Sequence, residues 1–161
     1  MKTISLIFLS AFLFIAPARA IDADIKYNST TVIADNLFEA IQNIDIVSLN
    51  ILLADGADVD TMNHNGETPL MAASKIGNMR MLNILLMHNP DVNKRNNNGQ
   101  TALMIASENG QLFVAERLLQ KGADASLKNN KGETAKDLAL KNGHKSLLDL
   151  FEGKEIQFFS R

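Results

Sequence analysis

The sequence predicts an all-α repeat solenoid of about four units, and three observations predict it. Near-identical stretches recur 33 residues apart, NGETPLMAAS at 65–74, NGQTALMIAS at 98–107 and KGETAKDLAL at 131–140. A fixed period of this length is the mark of stacked supersecondary units. The register reaches beyond those stretches, through Gly66, Gly99 and Gly132, through Leu52, Leu85 and Leu118, and through Ala40, Ala73, Ala106 and Ala139. Lastly, the apolar residues are mainly Leu, Ile, Ala and Met, with aromatics at 6% and no Trp, a palette suited to helices.

Residues 1–20 stand apart from the repeat. Lys2 precedes the apolar run ISLIFLSAFLFIA at 4–16, and PARA follows it. A positive start, an apolar stretch of ~7–15 residues and a small-x-small site form a secretory signal peptide, with cleavage expected after Ala20. The alternative, a membrane anchor, needs about 20 apolar residues. Residues 21–34 form a lead-in that includes NST at Asn28, a glycosylation acceptor only in a eukaryotic source.

The repeats are expected at about 35–62, 63–95, 96–128 and 129–152, and one unit serves to justify all. Thr68 is suited to cap a helix, because its hydroxyl accepts a bond from an orphan amide, and Pro69 fits the first helical position. A short helix then runs to about Lys75, and Gly77 closes it with a left-handed residue. In MRMLNILLMH, Met79, Leu82, Leu85 and Leu86 fall on one helical stripe. Asn89 ends this second helix where Gly56 and Gly122 end its counterparts, as Asn also tolerates positive φ. The segments ADVDTMNHNGE, PDVNKRNNNGQ and ADASLKNNKGE between helix pairs carry Asn and Gly for tight turns, and each is a candidate hairpin tip.

A unit of 33 residues with G-x-T-P-L, a Gly between two short helices and L-L-x-x-G-A-D resembles the ankyrin repeat. The residues that carry the resemblance are GETPLMAAS, ILLMHNPDVN, GQTALMIAS, RLLQKGADAS and NILLADGADVD, within about 35–152. Three departures matter. Met71 and Met104 stand where the family has His, so the hydrogen bonds between repeats that the family draws from imidazole are missing. In the first unit Ile44 replaces the interhelical Gly, and a β-branched residue resists positive φ, so the turn is expected one residue earlier, at Asn43. In the last unit Lys136 and Asp137 replace apolar residues, which reads as a terminal cap. The expected core is Leu37, Ala40, Leu52, Leu70, Ala73, Leu82, Leu85, Leu103, Ala106, Leu118, Leu119, Leu138 and Leu147.

Composition excludes several functions. The chain has no Cys, which removes disulfides, thiol catalysis and Cys-based metal sites. His64, His88 and His144 match no metal or catalytic spacing, and in the frame they fall on a tip, a helix end and an interhelical turn. No carboxylate pair is forced together for acid–base work, the Gly residues do not cluster into a phosphate cradle, and the Met residues suit core gaps. No enzyme activity, cofactor or metal is therefore expected. Residues 21–161 hold 14 basic and 18 acidic side chains, which argues against nucleic acid. The charge is uneven, with one base against nine acids over 21–70 and thirteen bases against nine acids over 71–161.

What remains is a surface, since repeat arrays bind through an extended concave face. The resemblance implies partner contacts at the tips His64, Asn65, Asn97, Asn98, Asn130 and Lys131. It continues them through the flanks Glu67, Arg95, Gln100, Lys128 and Glu133, and the helix faces Lys75, Ile76, Glu108 and Asn109. An Asn at a tip also serves turn geometry, whereas neither turn geometry nor solubility requires His64, Arg95 or Ile76. Signal and resemblance together imply a small exported bacterial ankyrin-repeat protein, periplasmic and monomeric. It is expected to bind another protein, such as a periplasmic enzyme, as inhibitor, self-protection factor or stabiliser. A secreted effector that docks on a host protein is the alternative, and a hydrolase or metal enzyme a third reading. The tail, 153–161, carries Phe158 and Phe159, which either fold over the last repeat or form a small docking patch.

Overall fold

A computed structural model describes residues 32–153, so the signal and the Phe158–Phe159 tail lie outside the described residues, as does most of the lead-in. The described chain forms helices in four antiparallel pairs. Helix α1 covers residues 32–42, and α2 is Ile46–Ala54, α3 Pro69–Ile76, α4 Met79–Met87, α5 Ala102–Glu108, α6 Leu112–Gln120, α7 Ala135–Lys141 and α8 Lys145–Phe151. No strand occurs among the described residues, and none of their helices is long and apolar enough to cross a membrane.

The expected start signals act as read. Thr68, Thr101 and Thr134 are extended N-caps whose hydroxyls accept from the amides of Met71, Met104 and Asp137 at 3.3, 3.3 and 3.2 Å. Asn89 has φ 52°, the left-handed turn expected of it. Asp58, Asp91 and Asp124 each accept the amide two residues on, at 2.9, 2.9 and 2.8 Å, which folds the loop after each second helix.

The core is one continuous cluster through all four pairs, because no single unit can bury its own apolar face. Eleven of the thirteen expected core residues are buried. Leu52 and Leu119 are half-buried instead. Among the described residues no unit precedes Leu52, and Leu53 and Ile41 carry the first pair's burial. Leu119 lies near the other end, where Glu152 follows it in the frame. Met71 and Met104 are each 1% exposed, filling with apolar contact the positions where the related repeats use imidazole.

The first helices of successive units approach one another more closely than the second helices do. Ala73, Ser74, Ala106 and Ser107 line the inner row and are fully buried, while the outer row is spaced by Met81, Leu82, Leu85 and Leu118. The stack therefore bends toward its first helices, which makes that side, with the loop fingers beside it, the concave face.

One expectation fails informatively. Ile44 does adopt positive φ, at 55°, and the turn is not displaced to Asn43. The reason is the bond from the Asp45 amide to the Ala40 carbonyl, 2.8 Å, the same closure that joins Gln111 to Ala106 and His144 to Ala139, both at 2.9 Å. Helix pairing fixes that register, and the residue at position 44 follows it.

Two predictions follow from this packing. Leu103→Asp puts a carboxylate at a site 0% exposed and should abolish cooperative thermal unfolding; an unchanged transition would remove Leu103 from the core. Ile44 is 49% exposed, so Ile44→Gly loses little packing and relieves a strained φ. It should raise stability by about 0.5–1 kcal/mol in denaturant titration, and a loss of stability would show that Ile44 is not strained.

Candidate functional site

The concave side is built from three loop fingers and the exposed ends of the first helices. Each finger is closed by two backbone bonds: the Asn63, Asn96 and Asn129 amides donate to the Glu67, Gln100 and Glu133 carbonyls at 3.0, 3.0 and 2.9 Å, and the Gly66, Gly99 and Gly132 amides donate back to the same three Asn carbonyls at 2.9, 2.8 and 2.9 Å. The same Asn braces its finger from within. Asn96 Oδ1 accepts from the Asn98 and Gln100 amides at 3.0 and 2.9 Å, and Asn63 and Asn129 repeat the pattern. Their side-chain amides donate to Glu67 and Glu133 carboxylates at 3.0 and 2.9 Å. Sequence reading passed over these three Asn residues, although their spacing of 33 and the Glu or Gln four residues later are a legible signal.

Successive fingers are tied to one another. The Asn97 amide donates to the Asn65 carbonyl at 3.1 Å and the Asn130 amide to Asn98 at 3.0 Å. The side chains of Asn97 and Asn130 donate to the carbonyls of His64 and Asn97 at 3.2 and 2.9 Å. Arg95 was expected to have no structural duty, and this is corrected. Its Nε donates to the Gly99 carbonyl at 3.0 Å and its Nη2 to Lys128 at 2.7 Å, so the guanidinium pins one finger to the next. Asn109 donates to Ile105 at 2.8 Å and finishes α5.

Six of the expected contact residues converge. Asn98, Gln100, Glu108, Asn130, Lys131 and Glu133 line a groove of about 230 Å³ between the second and third fingers, floored by α5 and α7. Asn129, Leu138 and Lys141 complete it; Lys141 was missed, though it follows Lys75 and Glu108 in the frame. The groove is lined by linked polar groups. Gln100 Nε2 donates to Glu108 at 2.9 Å, and Lys141 pairs with Glu133 at 2.8 Å. Hydrogen bonding from Asn129, then from Lys141, holds the Glu133 carboxyl below the ordinary value of 4.5, while Glu133 raises Lys141.

The other expected residues lie outside this groove. His64, Asn65 and Glu67 belong to the first finger, Lys75 and Ile76 to the end of α3, and Lys128 to the approach to the third finger. His64, Asn65, Lys75, Ile76 and Lys128 are exposed, while Glu67 is half-buried against Asn63. The His residues do not meet. His64 and His88 are exposed, and His144 sets Nε2 3.0 Å from the Glu108 carbonyl. Among the described residues no three His, Asp or Glu side chains stand together as a metal site would need. The groove offers paired donors and acceptors of both charges, which suits a polar partner surface.

The Glu133 bracket generates a pH prediction. A carboxyl whose folded pKa lies below its unfolded value adds stability that is present above about pH 4.5 and is lost as pH falls toward the folded pKa. In a carbon-detected NMR titration Glu133 should titrate below an ordinary glutamate, and Lys141→Met should raise it only in part, because the Asn129 amide remains. A midpoint at the ordinary value would show that this bracket does not form in solution.

Comparison with curated proteins gives no match. A family model described as ankyrin repeats, in three copies, matches residues 37–129, more than half of the chain, and the fourth helix pair, α7 and α8, lies beyond that span. With the repeated pairs, the fingers and the concave groove in place, the chain belongs to the ankyrin-repeat family, whose arrays are generally non-catalytic modules for binding other proteins.

Proposed function

We propose that this is an exported, monomeric ankyrin-repeat protein that holds a periplasmic enzyme against its concave face and inhibits, shields or stabilises it. The groove between the second and third fingers is the observation that carries the reading. Most of its polar side chains, Gln100, Glu108, Asn129, Asn130, Glu133 and Lys141, are held by hydrogen bonds within the array, so less ordering is left to oppose binding. Covering an active-site cleft requires no cofactor and no reacting group on this chain. The apolar run and PARA at 4–20 support export, and export places the partner in the envelope. Self-protection against a cell-wall hydrolase is one concrete form.

The test is a crosslinking pull-down from envelope extract, beside a variant with His64→Ala, Ile76→Ala and Lys131→Ala. These side chains are exposed, whereas Arg95 is left intact because it braces the fingers. One enzyme held by the unaltered protein and reduced at least about tenfold by the variant is expected. Equal capture by both, or no capture, overturns the concave-face reading. A captured enzyme that stays fully active in a 1:1 complex rejects inhibition and leaves shielding or stabilisation.

A further inference from the structure

We propose that the open end of the first unit, the groove between α1 and α2, is a docking surface for an apolar segment of the partner protein that carries Lys or Arg. The inference rests on the protein-binding reading above and adds a second contact with its own chemistry. In later units the same positions are covered by the unit before. Leu85 is 0% exposed and Ile84 half-buried, while their first-unit counterparts are half-buried Leu52 and Ile51 at 55% exposure. Between α1 and α2 this leaves a groove of about 340 Å³, lined in part by Asn36, Glu39, Asn43, Asp45, Ile51 and Leu52. Val47, one turn before Ile51 and 68% exposed, extends the apolar strip.

Charge selects the occupant. Residues 32–74 contain seven carboxylates and no Lys or Arg, so Glu39 and Asp45 beside the groove meet no basic side chain of their own unit. The Ser48 hydroxyl and amide hold Asp45 below the usual carboxylate range, which keeps it anionic at neutral pH. The chain's own residues 21–31 bring Asp22 and Asp24 against one base, Lys26, so they would add acid to acid. A second copy meeting it through the same end would do the same, and of the last unit's four bases two, Lys136 and Lys141, are already paired with Glu152 and Glu133, so a head-to-tail copy through Lys131 or Lys145 is left to the test below. A foreign basic segment removes this repulsion while burying Ile51. Exposed pairs are individually weak, so the apolar contact supplies affinity and the carboxylates supply selection and encounter rate.

The probe is a synthetic amphipathic helix of Leu and Lys, compared with its Leu and Glu counterpart on the full chain. The Lys peptide should bind at 1:1 and weaken at least about tenfold in about 0.5 M salt. Ile51→Ser and Glu39→Gln, both at exposed positions, should each weaken it several-fold, and the remote Glu116→Gln should leave it unchanged. Equal binding of both peptides, or equal loss with Glu116→Gln, overturns the proposal. Tighter peptide binding after Ile25→Ser and Tyr27→Ser overturns it in favour of the chain's own lead-in, and a dimer dissolved by Ile51→Ser does so in favour of a second copy. An enzyme captured through the concave face but indifferent to Ile51→Ser and Glu39→Gln defeats this inference alone. Peptide binding at α1 and α2 with no enzyme captured defeats the concave-face reading alone.

Discussion

The close approach of successive first helices is the constraint on which the other features depend. It is made by Ala73, Ser74, Ala106 and Ser107, all 0% exposed. A hydroxyl buried at such a contact must find an acceptor, and Ser74 and Ser107 find theirs inside their own helices, at the Leu70 and Leu103 carbonyls, 2.7 and 2.8 Å away. The interface between units is thus left free of polar demands, and the helices can approach to the limit set by small side chains. The bend that results brings each finger within bonding reach of the next, and the groove between fingers is a consequence of that bend.

A second constraint runs along the turns between paired helices. The frame position held by Asp45, Asn78, Gln111 and His144 changes its work along the array. Asp45 and Asn78 cap their own helices, each accepting two amides. Gln111 and His144 make no such cap and instead reach back over the preceding unit, His144 to Glu108 and Gln111 across Gly77. A Cβ at Gly77 would fall 2.1 Å from Gln111 Oε1 and push that amide aside, while the φ of 80° is what calls for glycine there. At Ile44 no side chain reaches back, because Asn78 is turned toward α4, and a strained but larger residue fits.

These two constraints explain what the sequence made legible. Helix starts, the positive φ of Asn89 and most of the core were readable because each satisfies the geometry of one unit, and the unit is written several times. Leu52 and Leu119 misled because burial there depends on the neighbouring unit, which the described residues do not supply before Leu52 and which is altered after Leu119. Ile44 misled because local preference was weighed above the paired-helix register. The site was less legible still. Periodicity marks Asn97, Asn130, Gln100 and Glu133 whether they hold fingers together or meet a partner, and the structure shows them holding fingers. Arg95 has Met62 and Lys128 as frame counterparts, so no repetition announced its bracing role.

The two ends of the array are finished in opposite ways, and that gives it a direction. At the C-terminal end Lys136 and Asp137 occupy the positions of buried Leu103 and Met104 and are exposed. Each is satisfied locally, Lys136 by Glu152 at 3.0 Å and Asp137 by the Thr134 amide and hydroxyl at 2.9 and 2.8 Å. At the N-terminal end of the described residues Val47 and Ile51 stay exposed, and residues 32–74 hold seven carboxylates with no Lys or Arg among them. A partner lying along the concave face, as proposed, would pass from units that carry charges of both signs to a unit of one sign. Paired charges exert little field beyond their own contact, whereas the unpaired acids act over about a Debye length, roughly 8–10 Å. On the proposed reading, orientation would be set from the first unit, and the groove between the fingers, where Gln100 bonds Glu108 and Lys141 pairs with Glu133, would contribute shape and hydrogen bonds once the partner is aligned.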